Sequence, residues 1–140
     1  MSKRVHILIT GPPGIGKTTI VKKLANVLNG QVTGFYTEEI RGSNGTRLGF
    51  DVISIEDDSK RKSLARELSD QMGPKVGKYT VILSDFESVA IPCLKRAISE
   101  ENITIIDEIG KKLVYMQVIY RSILYSSICD PGSKKYITKY

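Results

Sequence analysis

A glycine-rich segment near the N-terminus ends on a lysine and a threonine. Gly11-Pro12-Pro13-Gly14-Ile15-Gly16-Lys17-Thr18 fits the pattern G-x-x-x-x-G-K-[ST]. Glycines let a backbone turn tightly, so that successive N–H groups point inward and form a nest for an anion. A helix that begins near the lysine would add unpaired N–H groups and the positive end of its dipole. The segment therefore predicts a phosphate-binding loop.

The side chains at the end of this loop have separate expected roles. Lys17 would reach the β- and γ-phosphates of a nucleoside triphosphate as a point charge. The Thr18 hydroxyl would coordinate Mg²⁺, and Thr19 would help to hold the α-phosphate. The alternative is an ordinary glycine turn before a helix. The position of the loop between a predicted strand and a predicted helix favours the phosphate-binding interpretation.

A second chemical feature is the acidic pair Asp107-Glu108, which directly follows the apolar run 103–106. Because that run reads as a buried strand near the loop, Asp107 would lie at its end and hold Mg²⁺, directly or through a water. Glu108 could then accept a proton from an attacking water. Taken alone, an acidic pair at a strand end could equally be a helix cap or a solvated turn.

Alternating strands and helices must position these residues. Apolar residues at helical spacing predict a helix over Lys17–Leu28, which Asn29-Gly30 would end. A second helix would begin at a capping box formed by Ser84 and Glu87, and Pro92 would kink it or begin its main part. The predicted strands are 4–10, 32–39, 47–55, 79–83 and 103–106. This order predicts an α/β domain with a mostly parallel sheet and its ligand at the carboxyl ends of the strands.

Two segments depart from that alternation. The Asn44-Gly45 pair predicts a turn that joins the second and third strands into an inserted β-hairpin. Residues 56–72 are polar and charged, which predicts a solvated loop around Lys60-Arg61-Lys62, with a helical turn over 63–68. On the hairpin, Arg41 or Arg47 could reach a phosphate, although solvated side chains are the simpler expectation. Phe35 and Tyr36 could stack on a base, but strand packing is favoured.

Five segments together resemble the small cancer-related nucleoside-triphosphatase family, which has relatives in thermophilic prokaryotes. They are Gly11 to Thr19, Gly34-Phe35-Tyr36-Thr37-Glu38-Glu39, Gly49-Phe50-Asp51-Val52, Val76-Gly77-Lys78-Tyr79 and Ile106-Asp107-Glu108-Ile109-Gly110-Lys111. The resemblance covers about residues 4–111. It implies a RecA-like P-loop fold and Mg²⁺-dependent hydrolysis of ATP, GTP and other nucleoside triphosphates to the diphosphate and phosphate. It also implies that Glu108 is the catalytic base.

The last thirty residues differ from the rest. Residues 111–140 hold six lysines and arginines against one aspartate, and five of the seven tyrosines. We therefore expect a P-loop core over 1–111, followed by a divergent helix over 114–128 and a basic tail, with no later strand–helix unit. Such an ending would leave a domain without its last strands and expose a sheet edge. An altered transcript or gene model is the hypothesis for this ending; a divergent but selected ending is the alternative.

Composition limits the remaining classes of function. Two cysteines form no disulfide framework, no apolar run is long enough to span a membrane, and a reducing cytoplasm is the default location. We expect a monomer that binds a nucleoside triphosphate with Mg²⁺ and has no membrane or nucleic-acid partner. The alternatives are a small-molecule or nucleotide kinase, and a truncated nucleotide-binding module with little turnover.

Overall fold

In the part of the chain that the structure describes, eight strands form one sheet, with a helix on each face. The computed structural model describes residues 7–9, 11–12, 14–67, 70–99, 103–107 and 135–139. Its strands are β1 (Ile7–Ile9), β2 (Val32–Arg41), β3 (Arg47–Ser54), β4 (Arg61–Glu67), β5 (Lys75–Val76), β6 (Tyr79–Val81), β7 (Ile103–Asp107) and β8 (Lys135–Lys139), and its helices are α1 (Lys17–Leu28) and α2 (Leu83–Ser99). Neither of these described helices is long and apolar enough to cross a membrane.

The sheet is mixed, with the order β1-β8-β7-β2-β3-β4-β6-β5. Strands β1, β8, β7 and β2 run parallel to one another. From β2 outward through β3, β4, β6 and β5, every described pairing is antiparallel. The α/β class and the inserted hairpin are confirmed, but a mostly parallel sheet is wrong because the hairpin continues into a larger antiparallel half.

Strand β4 accounts for most of that difference. Residues 61–67 were expected to be a solvated loop and a helical turn, yet they form a strand that pairs with both β3 and β6. Leu64 and Ala65 are buried in the core. Arg61 and Arg66 both pair with Asp51 of β3. The charges that made this segment look solvated are therefore matched by a neighbouring strand.

Alternate side chains of the central strands pack on opposite faces, as strand geometry requires. On one face Phe35, Val52 and Ile106 pack against α2, together with β4 and β6. On the other face the adjacent residues of the same strands, Tyr36, Ile53 and Ile105, form a cluster with Val21 of α1. Because both faces are covered, each of these strands carries adjacent apolar residues in its buried part.

Local signals explain where the helices begin and end. Helix α1 has the predicted bounds, and Asn29 and Gly30 adopt the left-handed conformation that ends it. Helix α2 begins at Leu83, where the Phe86 N–H donates to the Ile82 carbonyl. The expected capping box at Ser84 is therefore wrong, since that residue already lies inside the helix.

Strand β8 comes from the segment that was expected to add no strand. It lies between β1 and β7 and pairs in parallel with both, so that Ile137 is in register with Ile7 on one side and Ile105 on the other. The expectation that the last thirty residues add no strand is therefore wrong, since residues 135–139 fill an internal position of the sheet. The predicted helix over 114–128 lies outside the described residues.

Candidate functional site

The glycine loop leads from β1 to α1 through conformations that only glycine adopts readily. Gly11, Gly14 and Gly16 have φ angles of 155°, 80° and 98°. The Ile20 N–H donates to the Gly16 carbonyl at 3.0 Å, which starts the helical hydrogen bonding. Pro13 lies outside the described residues. The described glycines thus have positive φ angles, as left-handed residues of anion-binding nests do.

The Lys17 side chain folds back over this loop. Its ammonium group donates to the carbonyl oxygens of Gly11 at 2.6 Å and Pro12 at 2.9 Å. The positive charge therefore lies at the mouth of the loop instead of extending into solvent. From this position the ammonium group could interact with a phosphate at the loop, as the sequence predicts.

Helix α1 and strand β7 bring the two predicted motifs together. The Thr18 hydroxyl donates to Oδ2 of Asp107 at 3.4 Å, although the two residues are 89 positions apart in the chain. Asp107 is only 1% exposed, at the end of β7. The residue therefore lies at a carboxyl end of the parallel strands, which is where α/β sheets bind ligands.

A residue of β2 that was not selected from the sequence completes this contact. Thr37 donates to the same Asp107 oxygen through its backbone N–H at 3.2 Å and through its hydroxyl at 3.4 Å. The residue lies in the Gly34–Glu39 stretch that contributed to the family resemblance. A threonine in a strand is ordinary, so only the prediction that β2 pairs with the Asp107 strand could have indicated this role.

The oxygen atoms at this site are suitable ligands for a magnesium ion that also binds a phosphate. Thr18 and Asp107 offer hydroxyl and carboxylate oxygens, the ligand type that Mg²⁺ prefers. Within the described ranges, no group of three or more histidine, cysteine, aspartate or glutamate residues could hold a metal. Mg²⁺ is usually held by one or two carboxylates and by substrate phosphates, and not by a cage of protein ligands. A single carboxylate beside the predicted phosphate-binding loop fits that pattern.

A chain of ion pairs continues from the site along the α1 face of the sheet. Lys22, one turn after Thr18 on α1, pairs with Glu38 of β2. Arg61 donates to Glu38 at 2.9 Å and to Asp51 at 2.5 Å. Burial raises the pKa of Glu38, but Lys22 and Arg61 lower it more, so that the pKa of this carboxyl lies below its usual value. Glu38 therefore remains ionised at neutral pH.

Other candidates are occupied elsewhere. Phe35 is fully buried and packs edge-on against Phe86. Tyr36 is buried, and its hydroxyl donates to Asp58 at 3.1 Å. Neither ring is therefore available to stack on a nucleotide base. Arg41 and Arg47 both pair with Glu39 at the hairpin. Glu108 lies outside the described residues, and its role stays a prediction.

Comparison with known proteins points to one family. A model of the NTPase family matches residues 6–126. "Nucleoside-triphosphatase THEP1" of Thermotoga sp. (strain RQ2) is 49% identical over 108 residues, which are 76% of this chain and 59% of that protein. The human "Cancer-related nucleoside-triphosphatase" is 37% identical over 139 residues, which are 91% of this chain and 71% of the human protein. The chain thus spans less than two thirds of the length of the Thermotoga relative.

Solved structures show the same fold. The crystal structure of THEP1 from the hyperthermophile Aquifex aeolicus superimposes with a TM-score of 0.76 at 36% sequence identity. The matched region covers 96% of this chain and 76% of the Aquifex chain. The solution structure of a human cancer-related nucleoside triphosphatase gives a TM-score of 0.72 at 35% sequence identity. The matched region covers 98% of this chain and 76% of the human chain. The resemblance was expected to fade after Lys111. That limit is wrong, since the family match reaches residue 126.

Proposed function

Because the chain belongs to this NTPase family, we propose that it hydrolyses nucleoside triphosphates to the diphosphate and phosphate, with Mg²⁺ as cofactor. The observation that carries the proposal is the contact between Thr18 and Asp107, which joins the glycine loop to an acidic strand end. The names of the relatives support a triphosphatase reaction. The proposed substrates include ATP and GTP, because the loop would bind phosphates and make no use of the base.

The proposed mechanism assigns each step to a residue of this chain. The backbone N–H groups of the loop, which Pro12 and Pro13 lack, would bind the phosphates, and Lys17 would stabilise the negative charge that builds up between the β- and γ-phosphates. Thr18 and Asp107 would hold Mg²⁺, which when bound neutralises charge on the phosphate oxygens. Glu108 would accept the proton from the water that attacks the γ-phosphate in line, and the diphosphate would leave.

Replacement of Glu108 by glutamine tests the hydrolytic assignment. Glu108→Gln keeps the shape of the side chain but removes its basicity, so turnover should fall by about 10²–10⁴-fold. Binding of the nucleotide should be largely unchanged, because the phosphate contacts lie on the loop. Phosphate release and the Kd for a labelled ATP analogue would be measured on the same preparations of the full chain.

Lys17→Ala is the companion variant in this experiment. It removes a charge from the phosphate contacts, so both nucleotide affinity and phosphate release should fall. Tight nucleotide binding without phosphate release by the wild type would indicate a nucleotide-binding module and reject the proposed hydrolysis. Equal loss of binding and turnover in Glu108→Gln would reject the role of that residue as the base.

A further inference from the structure

The Asp107 carboxylate is held from two sides by threonine residues. On one side the Thr18 hydroxyl of α1 donates to Oδ2, and on the other side both the N–H and the hydroxyl of Thr37 donate to the same oxygen. From this geometry we propose that Thr37 is a positioning residue, which orients the Asp107 carboxylate for the Mg²⁺–nucleotide complex and acts only through Asp107. The inference rests on the proposed function, because it concerns the metal of that site.

The path of β2 explains why its backbone reaches this carboxylate. The parallel pairing of β2 with β7 ends with Phe35 beside Ile106. Two residues further on, the Thr37 N–H donates to the Asp107 side chain and not to a backbone carbonyl of β7. The carboxylate thus continues the hydrogen bonding between the two strands, so its orientation depends on where β2 lies.

Close contact between the same strands fixes that position. Gly34 pairs with Ile105, and a Cβ atom at Gly34 would overlap the Ile105 carbonyl oxygen. Only glycine allows β2 to approach β7 this closely. Thr37 follows three residues later, and it is itself only 7% exposed. Water has little access to replace the Thr37 hydroxyl, so the carboxylate depends on the protein for this bond.

Carboxylates that bind a metal are themselves commonly hydrogen-bonded by surrounding groups, which hold them in the productive orientation. Removal of such a partner typically weakens metal binding by about 10–100-fold. The Thr37 N–H would remain after a side-chain substitution. Loss of the hydroxyl alone should therefore weaken metal binding by about tenfold, the lower end of that range.

The test compares nucleotide affinity with and without the metal. Thr37→Val removes the hydroxyl and keeps the shape of the side chain. The Kd of the full chain for a fluorescent, slowly hydrolysed ATP analogue would be measured in excess Mg²⁺ and in EDTA. We expect the gain in affinity due to Mg²⁺ to fall about tenfold in Thr37→Val, while the Kd in EDTA stays within about twofold. Thr37→Ser, which retains a hydroxyl, should restore most of the gain.

Thr33→Val is the matched control. Thr33 is a fully buried threonine of the same strand, and its hydroxyl donates to the Cys93 carbonyl at 3.3 Å, away from Asp107. This variant makes the same chemical change and loses one hydrogen bond, but it should keep the full effect of Mg²⁺. Thermal unfolding of all three variants would show how much each change affects stability.

Several results would overturn the proposal. If Thr37→Val kept the wild-type gain in nucleotide affinity from Mg²⁺, Thr37 would not position the carboxylate. If Thr37→Val lost nucleotide affinity equally in Mg²⁺ and in EDTA, with a lowered Tm, its role would be purely structural. A wild type whose affinity does not depend on Mg²⁺ would overturn both this inference and the cofactor assignment. Absence of phosphate release by a wild type with Mg²⁺-dependent binding would reject hydrolysis alone, and the result for Thr37 would still stand.

Discussion

At the scale of single residues, the Glu38 carboxylate shows how charge is organised beside the site. It accepts from Lys22 of α1 and from Arg61 of β4, and so it links a helix to two strands. The Glu38 and Lys22 side chains are 27% and 42% exposed. Water screens an ion pair at that exposure, so the expected contribution to the free energy of unfolding is about 1 kcal/mol or less.

The lowered pKa of Glu38 gives this contribution a pH dependence. A carboxylate whose pKa is lower in the folded state stabilises the protein above its unfolded pKa, and the stabilisation disappears as the pH falls through the folded value. The difference in free energy of unfolding between the wild type and Glu38→Gln should therefore be largest above about pH 5 and shrink at lower pH. Urea unfolding at pH values from neutral to acidic would measure it.

Glu87→Gln provides the comparison, because Glu87 is an exposed glutamate on α2. A surface change of this kind should alter the free energy of unfolding by no more than about 0.5 kcal/mol. A gap between the wild type and Glu38→Gln that is constant with pH would contradict the electrostatic account of the Lys22–Glu38–Arg61 contacts.

Local sequence patterns were enough to select the loop residues and Asp107 as candidates, because the spacing of glycines, lysine and threonine is visible in the sequence itself; their roles stay predictions. Thr37 could not be predicted in the same way. Its partner lies 70 residues away, and its position beside Asp107 follows from the pairing of two strands. Arg61 was misjudged for a related reason, because the carboxylates that match its charge lie on β2 and β3.

At the scale of secondary-structure elements, β2 is the strand that joins the two halves of the sheet. It pairs in parallel with β7 and in antiparallel fashion with β3. Alternate residues of β2 fill both faces of the core, and the strand contacts the candidate site through Thr37, just beyond its pairing with β7. Displacement of β2 should therefore affect stability and nucleotide binding together.

Gly34→Ala tests this dependence. Gly34 has a φ angle of 129°, and an added Cβ would overlap the Ile105 carbonyl oxygen. Strain and steric overlap should together lower the free energy of unfolding by about 3 kcal/mol or more. Because β2 must move away from β7, nucleotide affinity in Mg²⁺ should also fall. Chemical denaturation and nucleotide titration would measure the two effects.

Gly45→Ala separates backbone strain from steric overlap. Gly45 lies in the hairpin turn with a φ angle of 78°, but an added Cβ there would meet none of the described atoms within 4 Å. The expected cost is about 1–2 kcal/mol, the usual penalty for a left-handed conformation with a side chain. Similar losses at both glycines would show that the close contact between β2 and β7 is not what makes Gly34 necessary.

Sequence patterns predicted elements best where one periodicity dominates. Helix α1 was predicted with its bounds because apolar spacing and the Asn29-Gly30 stop agree. The hairpin was likewise indicated by Asn44-Gly45, where the Gly42 N–H donates to the Thr46 carbonyl at 2.8 Å. Strand β4 was missed because arginines and lysines occupy positions that a buried strand would fill with apolar residues. The charges of β4 are matched by ion pairs with other strands, which form only in the folded sheet.

At the scale of the whole molecule, β8 joins the two parts of the candidate site. Strand β1 leads into the glycine loop, and β7 ends at Asp107, but these two strands do not pair directly. Each of them pairs with β8 instead. The distance between the loop and the Asp107 carboxylate therefore depends on a segment that composition had set apart as a basic tail.

A chain that ends at residue 134 tests this arrangement. Without β8, the facing backbone groups of β1 and β7 lose their hydrogen-bond partners, and unpaired buried backbone groups are strongly disfavoured. We expect the shortened chain to lose cooperative thermal unfolding, or to unfold at a clearly lower temperature, and to bind the fluorescent ATP analogue much more weakly. A chain that ends at residue 139 retains all of β8 and should match the full chain in both measurements. If the chain that ends at residue 134 instead kept the Tm and the Kd of the full chain, then β8 would not hold the loop and Asp107 together, and the contact between Thr18 and Asp107 would have to be maintained by α1 and β2 alone.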